Sequence, residues 1–519
     1  MILQPADSLN LQQVDEIISN GGRGEDAARL IMLNMFLGPN RFGKMFPQLD
    51  PFRPPDEALE ALGSAMVEAA PQDPLGNLSS VAAGFTYLGQ FIDHDLSFDK
   101  TEGFPQIEDR TQIEQGRTPT LELDSLYGLG PSLQAEFYEG PRPRARFRIG
   151  LTSAIPSSGG IGQPDVPPSL PNDLPRRPNK EAVIGDPRND ENLIVAQTHL
   201  AFMKFHNRVM ASGPQGGQAG PGTPFERTQR LVRWHYQWII LHDFLPKVID
   251  PSILNDVKAN GRRFYNFDAD PFSGTPFMPL EFSAAAYRLG HSMIRESYNY
   301  NRVFADRTVE PTALTEATLR LLFAFTGSGG FPAPPGTHPV LPSNWIIDWR
   351  RFFELGRPDL LNFARRLDTT LVPELHDLQV SGPRSLAVRN LLRGSRVGLP
   401  AGQDVADAIA DGGVEVATLT PDQVAGGADG PVLREHGLHE RTPLWYYVLK
   451  EAEVQAGGQH LGQVGSRIVA EVFIGLLEGD NNSFLSQDPA WKPTLPAATP
   501  GTFTMPDLLR FVNDINPIG

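Results

Sequence analysis

Residues 191–210 read ENLIVAQTHLAFMKFHNRVM, with apolar residues recurring three and four positions apart at Leu193, Ile194, Leu200 and Ala201 and a polar gap at Gln197. That spacing is the period of an α-helix, and its largely apolar character predicts a long helix that is mostly buried. Residues 228–249 and 464–477 carry the same period, whereas runs with the alternation of a β-strand are few and short. Between them lie stretches rich in glycine and proline: 156–177 (PSSGGIGQPDVPPSLPNDLPRR), 212–223 (SGPQGGQAGPGT) and 327–342 (GSGGFPAPPGTHPVLP). Their turn chemistry predicts loops. None of them shifts composition enough to act as a linker, and no internal repeat is visible. The expectation is a mainly α fold with long loops and very little β, in one large domain over residues 31–519 behind an N-terminal extension of residues 1–30. A chain of 519 residues is long enough for such a core.

Charge and composition exclude several functions. The net charge of −16 argues against a nucleic-acid surface, because binding phosphates needs clustered cations. With no cysteine, disulfides, thiolate metal sites and cysteine nucleophiles are ruled out. Apolar residues at 40% and a mean hydropathy of −0.26 describe a globular chain, and no run approaches the ~18 apolar residues of a membrane span. The N-terminal MILQPADSLNLQQVDEIISN lacks the basic and apolar segments of a secretory signal. The expectation is a cytoplasmic monomer, with export by a signal-less route left open.

Residues 89–96, GQFIDHDL, close an apolar run with a histidine between two carboxylates. Residues 82–91 read as helix, which puts His94 at or just past its C-terminal end. A histidine there is ordinarily structural, since the helix dipole favours imidazolium. Asp93 and Asp95 point away from His94 in different directions, so the three polar groups face three different partners. His291 follows a glycine in the apolar helix predicted for 284–294 (AAAYRLGHSMI). Such a histidine is usually packed and satisfied, yet it is also how an axial iron ligand is presented. Arg288, three residues earlier, shares its helical face. Arg188 lies in IGDPRNDE, a loop just before the long helix, where an arginine is ordinarily solvated.

Taken together, GQFIDHDL, GDPRNDE followed by THLAFMKFHNR, RLGHSMI, RNLLRGSRVGLP and LGQVGSRIVAEVFIGLL resemble, in order and approximate spacing, the peroxidase–cyclooxygenase superfamily. This superfamily holds the animal-type haem peroxidases and their bacterial relatives. The resemblance covers roughly residues 30 to 515, and its specificity lies in the set rather than in any one motif. It implies a helical haem peroxidase fold carrying haem b and calcium.

The resemblance also implies roles for individual residues. His94 matches the distal base that takes a proton from hydrogen peroxide and returns it to the leaving oxygen. Arg188 matches the cation that stabilises charge on that oxygen, and Gln90 matches the distal glutamine beside the water and halide site. His291 matches the proximal ligand of the haem iron, with Asn390 accepting its N–H. Arg288 and Arg393 match partners of the haem propionates. Asp93 and Glu191 match the carboxylates that form esters with haem methyls in several relatives. Relatives with a third, sulfonium link carry methionine after the glutamate; Asn192 stands there instead. Asp95 matches a calcium ligand, and the run Thr118, Thr120, Glu122, Asp124 supplies further oxygens for a hard cation. Here Glu122 and Asp124 replace the family's aspartate and serine. The alternative for this run is an amphipathic strand with a solvated acidic face.

The function implied is a peroxidase, an oxidoreductase acting on peroxide, with small organic molecules or halides such as iodide and bromide as donors. Two other readings stand beside it. One is a fatty-acid dioxygenase of the same superfamily, whose tyrosyl radical sits in a Tyr-x-x-His-Pro segment; here Pro335 occupies the tyrosine position of PGTHPVLP. The other is a non-catalytic haem- or calcium-binding adhesion module, which has no need of the pair His94 and Arg188.

Overall fold

The computed structural model describes residues 42–68, 77–101, 103, 105–107, 113, 115–140, 145–154, 166–213, 222–267, 276–327, 340–378 and 380–519. The extension expected for residues 1–30 and the segment 335–339 lie outside the described residues. Helix dominates, as expected, and the strands form four two-stranded pairs among the described residues. The helices that matter for the site are α1 (Asp56–Ala65), α2 (Gly84–Leu96), α3 (Leu193–Ser212), α4 (Pro224–Ile239), α5 (Leu386–Arg396), α6 (Leu444–Ala456) and α7 (Gln463–Gly479). Their buried apolar side chains join one contiguous core that runs from Phe42 to Ile518. No helix among the described residues is long and apolar enough to cross a membrane.

α3 is the expected buried helix. Asn192 caps it by accepting the Val195 N–H at 3.0 Å, an arrangement worth about 1 kcal/mol. Gly213, at φ 60°, ends it in a conformation that favours glycine. α2 packs across α3, with Phe91 stacked on Phe202 at 4.8 Å and 9° between rings. Both rings are fully buried, and each removes from water an apolar side chain worth about 2–3 kcal/mol.

α2 extends beyond its expected end. It runs to Leu96, so His94 lies inside its last turn rather than past it. The reason is packing: His94, Asp95 and Leu96 are all buried, and the chain turns extended only at Ser97. At the other end an antiparallel pair of Leu78–Ala82 with Phe363–Arg365 feeds directly into α2. The N–H groups of Ala83 and Gly84 are then taken by the carbonyls of Asn362 and Phe352, each at 2.9 Å.

Two further helices differ from expectation. The helix read over 228–249 is α4 followed by a π-helical turn, Ile240–Phe244, and a short helix, Leu245–Val248. Pro246 has no N–H to return to the preceding turn, so the regular hydrogen-bond ladder cannot pass through it. The helix read over 284–294 is instead a short α-helix, Leu280–Ser283, and a 3₁₀ turn, Ala286–His291. In a 3₁₀ helix residues i and i+3 eclipse, so Arg288 and His291 share one face more closely than an α-helix would place them. This turn packs against α2, α6 and α7.

Candidate active site

Four elements bring charged side chains around one cavity of about 200 Å³. Asp93 comes from α2, Arg188 from the 3₁₀ turn Pro187–Asp190, Arg288 from the turn Ala286–His291, and Arg393 from α5; Asp99 completes the charged wall. Three guanidinium groups against two carboxylates leave the lining net cationic. Arg393 is paired with Asp99, yet its Nη1 is buried with no hydrogen-bond partner. An unpartnered guanidinium N–H beside a cavity suits a carboxylate ligand. Burial raises the pKa of Asp93, against the pull of Arg188, Arg288 and a 3.0 Å hydrogen bond from Ser97. The imidazoles of His94 and His291 do not line this cavity.

His94 is held through one nitrogen. Its Nδ1 lies 2.9 Å from Asn189 Oδ1, an atom that only accepts, so Nδ1 carries the proton and Nε2 keeps its lone pair. Burial, then the nearby Arg188 cation, push the imidazole down to about 3. His94 is therefore neutral and able to take a proton across the physiological range.

Arg188 is clamped beside it. Asp186 accepts from Arg188 Nε at 3.1 Å and from Nη2 at 2.8 Å, while Nη2 also reaches the His94 carbonyl at 3.1 Å. The guanidinium lies over the Phe98 ring at 4.3 Å. Asp186 also caps its own turn by accepting the Arg188 N–H at 2.9 Å, and its Oδ2 binds buried Arg117. Burial opposes the charge on Asp186, but Arg188 and Arg117 outweigh it and hold the carboxyl below the usual range.

His291 and its amide partner are arranged differently from expectation. Asn390 and Arg393 share a face of α5, as their spacing implies, and the Asn390 amide does reach His291, at 2.8 Å. The contact, however, is from Asn390 Nδ2, so the amide donates to His291 Nδ1 instead of accepting from it. The cause is Arg288, whose Nη1 donates to Asn390 Oδ1 at 2.5 Å and turns the amide. Burial and the Arg288 charge lower His291 to about 3.

Gln90 is half-buried and pinned by Asn192, whose Nδ2 donates to Gln90 Oε1 at 2.8 Å; Gln90 Nε2 approaches Glu191 at 3.4 Å. Asn192, at the position of the absent methionine, thus has two structural tasks: it caps α3 and fixes Gln90. Glu191 is exposed, though surrounding protein still pushes its carboxyl upward; water access limits that shift.

The expected cation run is a turn leading into a short helix, Asp124–Tyr127, and not a strand. Leu123 sits at φ 61°, a left-handed conformation costly for a bulky side chain, and its N–H there donates to Asp95 Oδ2 at 3.0 Å. Ser125 and Tyr236 donate to the same carboxylate at 3.3 and 3.2 Å. Gly185 fits beside this turn because any Cβ would fall 2.5 Å from the Ser125 carbonyl oxygen. Burial raises both Asp95 and Asp124, and Glu122 adds like charge to each. Two buried oxygens, Thr120 Oγ1 and Asp124 Oδ1, have no hydrogen-bond partner. Such oxygens fit a hard cation. The opposing feature is Arg117, which lies 3.6 Å from Asp124 and already brings a positive charge. Among the described residues no group of three or more histidine, aspartate or glutamate side chains has the spacing of a complete metal site.

Sequence reasoning missed Arg117, Asp186, Asn189 and His199. Asp186 was visible as the aspartate two residues before Arg188, a turn-capping signal. Arg117 gave no local signal for its bond to Asp186, 69 residues away, and His199, 10 residues after Asn189, read as an ordinary side chain on a buried helix.

Comparison with known proteins gives likenesses of sequence and of fold. The family model described as animal haem peroxidase matches residues 144–326. That span holds Asp186, Arg188, Asn189, Arg288 and His291, and excludes His94 and Asn390. A peroxidase-like protein of Margaritifera margaritifera is 24% identical over 259 residues, which is 41% of this chain and 32% of the relative. The chain spans about a third or less of the length of the first curated relatives it matches. Among solved structures, peroxidase A of Dictyostelium discoideum superposes with a TM-score of 0.58 at 14% identity, covering 92% of this chain and 94% of that one. A fatty acid alpha-dioxygenase of Oryza sativa gives 0.54 at 14% identity, covering 90% and 79%. At these identities the structural likeness speaks for the fold.

Proposed function

We propose that the chain is a haem peroxidase of the animal type, reducing hydrogen peroxide at the expense of small organic donors or of iodide and bromide. The observation that carries this reading is the distal pair: an imidazole fixed through Nδ1 with Nε2 free, beside an arginine locked by Asp186. Haem, when bound, supplies the two-electron redox chemistry. His94 Nε2 takes the proton of peroxide and holds it for the leaving oxygen. On Arg188, Nε and Nη2 are committed to Asp186 and the His94 carbonyl, and the guanidinium, which lines the cavity, offers its charge to that oxygen without reorganising. His291 is the residue to hold the iron, with Arg288 and Arg393 taking the propionates. The cavity volume is below the roughly 300–1,000 Å³ of small-molecule sites and suits the charged edge of a flat ligand.

The test is the visible spectrum of the purified protein before and after acid-acetone extraction, followed by stopped-flow mixing with peroxide. A Soret band that changes rapidly with peroxide is expected. Pigment left with the polypeptide after extraction marks ester links through Asp93 and Glu191, and the double variant Asp93→Asn, Glu191→Gln then releases it. No Soret response would leave only passive haem binding.

Fatty-acid dioxygenation is the second reading, favoured by the likeness to the rice enzyme's fold. It meets proline at position 335, and proline forms no tyrosyl radical. Oxygen uptake with linoleate, set against guaiacol, bromide and iodide oxidation driven by peroxide, separates the two.

Calcium at Asp95, Thr118, Thr120, Glu122 and Asp124 belongs to the same proposal. At a hundredfold excess over its Kd a bound ion adds about 2.7 kcal/mol. Chelation is therefore expected to lower the melting temperature by about 2–3 °C, and Asp95→Asn to abolish that response. A melt indifferent to chelator and to added calcium assigns the internal cation to Arg117 alone.

A further inference from the structure

The geometry points to Asn189 and His199 as positioning residues that set which nitrogen of His94 carries the proton, through one amide held between two imidazoles. The inference rests on the peroxidase reading only for its purpose, the base at His94.

His94 reaches the amide from α2, Asn189 from the turn Pro187–Asp190, and His199 from α3. All three side chains are buried, with exposures of 5%, 0% and 1%. His94 Nδ1 is 2.9 Å from Asn189 Oδ1, and Asn189 Nδ2 is 3.0 Å from His199 Nδ1. An amide oxygen only accepts and an amide nitrogen only donates. The two rings are therefore forced into opposite tautomers: His94 has its proton on Nδ1, and His199 has its lone pair on Nδ1 and its proton on Nε2. Turning the amide over reverses both together.

Only one of these two states serves a base. With Asn189 Oδ1 toward His94, Nε2 has a free lone pair, and the imidazolium formed when it takes a proton keeps its Nδ1–H bonded. With Nδ2 toward His94, the lone pair lies on Nδ1, facing the amide, and an imidazolium would set two donors against each other. His199 supports the productive state by accepting the amide N–H. Its ring is in turn held edge-on to Phe91 at 5.9 Å, one turn before His94 on α2. The Asn189 backbone is fixed by its N–H to the Asp186 carbonyl at 3.1 Å, so the turn that clamps Arg188 also places the amide.

The test combines ¹⁵N NMR of histidine-labelled protein, as purified and loaded with zinc protoporphyrin, with the rate at which cyanide binds the ferric haem protein, where the base must deprotonate hydrogen cyanide. In the parent, His94 is expected as the Nδ1–H tautomer and His199 as Nε2–H. In Asn189→Asp the carboxylate accepts from both rings, so His94 keeps its tautomer, His199 switches to Nδ1–H, and cyanide binding stays within a few-fold of the parent. In Asn189→Leu the His94 tautomer is no longer single, and cyanide association slows about 10- to 100-fold with the Soret band kept. His199→Phe, which preserves the ring packing, shifts the same way by a smaller factor. A parent His94 protonated on Nε2, or an Asn189→Asp variant whose His199 does not switch, overturns the proposal. Because the tautomers are read with and without porphyrin, a protein that takes up no haem would defeat the peroxidase reading while leaving the relay decided on its own terms.

Discussion

On the proposed peroxidase reading, replacing His94 with alanine is expected to slow the reaction of the haem-loaded protein with hydrogen peroxide by about 10²- to 10⁴-fold, the usual contribution of a positioned base. In activation free energy this is about 2.7–5.5 kcal/mol. Haem uptake persists, because the residues facing the charged cavity are Asp93, Arg188, Arg288, Arg393 and Asp99, not His94. Stopped-flow absorbance at the Soret band measures the rate, and an unchanged second-order constant would remove His94 from the role of base. The pH profile supplies a second check. Burial and Arg188 bring the imidazole down to about 3, so His94 is essentially deprotonated from about pH 5 upward. The parent rate is then expected to be flat from about pH 5 to 8 with respect to this group, and to fall only as pH drops toward 3, where Nε2 becomes protonated. A limb near the 6.5 of free imidazole would mean that water reaches the ring.

What the sequence made legible and what it hid divide along a physical line. Long buried helices follow from apolar periodicity, and α3 and α7 lie within a few residues of where that periodicity predicts them. Their ends and local types depend on contacts that periodicity does not carry. α2 continues through His94 because the core covers its last turn, and the segment carrying His291 tightens into a 3₁₀ turn against α2, α6 and α7. The same limit applies to the site. Asp93, Arg188, Arg288 and Arg393 were singled out by motif, and they do meet around one cavity. The groups that orient them were not: Asp186 and Arg117 are 69 residues apart, and Asn189 is 95 from His94. A polar residue on a buried helix, such as His199, looks like an ordinary packed side chain until its partner is known.

The clamp on Arg188 ties the turn around Leu123 to the proposed site. Asp95 anchors the left-handed turn at Leu123, Gly185 lets the turn at Asp186 press against Ser125, and Arg117 crosses from the first turn to the second. That turn and Arg188 are therefore linked through Arg117 and Asp186. Charge brought to Asp124 by Arg117, and on the proposed reading by calcium, is felt at Asp186 and so at Arg188.

Substituting His291 with alanine has the second large effect. If His291 holds the iron, as proposed, the ferric spectrum is expected to change its coordination signature and haem affinity to fall by more than the roughly 10- to 100-fold typical of removing a ligand's supporting group. Added imidazole, filling the space of the missing ring, is expected to restore much of the parent spectrum; a spectrum the same in parent and variant would exclude His291 as the ligand. The neighbouring amide sharpens the expectation. Iron takes the lone pair of Nε2, which requires the proton on Nδ1 and an acceptor facing it. The Asn390 amide presents Nδ2 to His291 while Arg288 holds its Oδ1, so ligation calls for a half-turn of the amide and release of Arg288 toward the cavity it lines. Asn390→Asp provides an acceptor in either orientation and a negative charge besides. It is expected to strengthen the imidazolate character of the ligand and lower the ferric/ferrous potential, and potentiometric titration of the two proteins reads the sign directly.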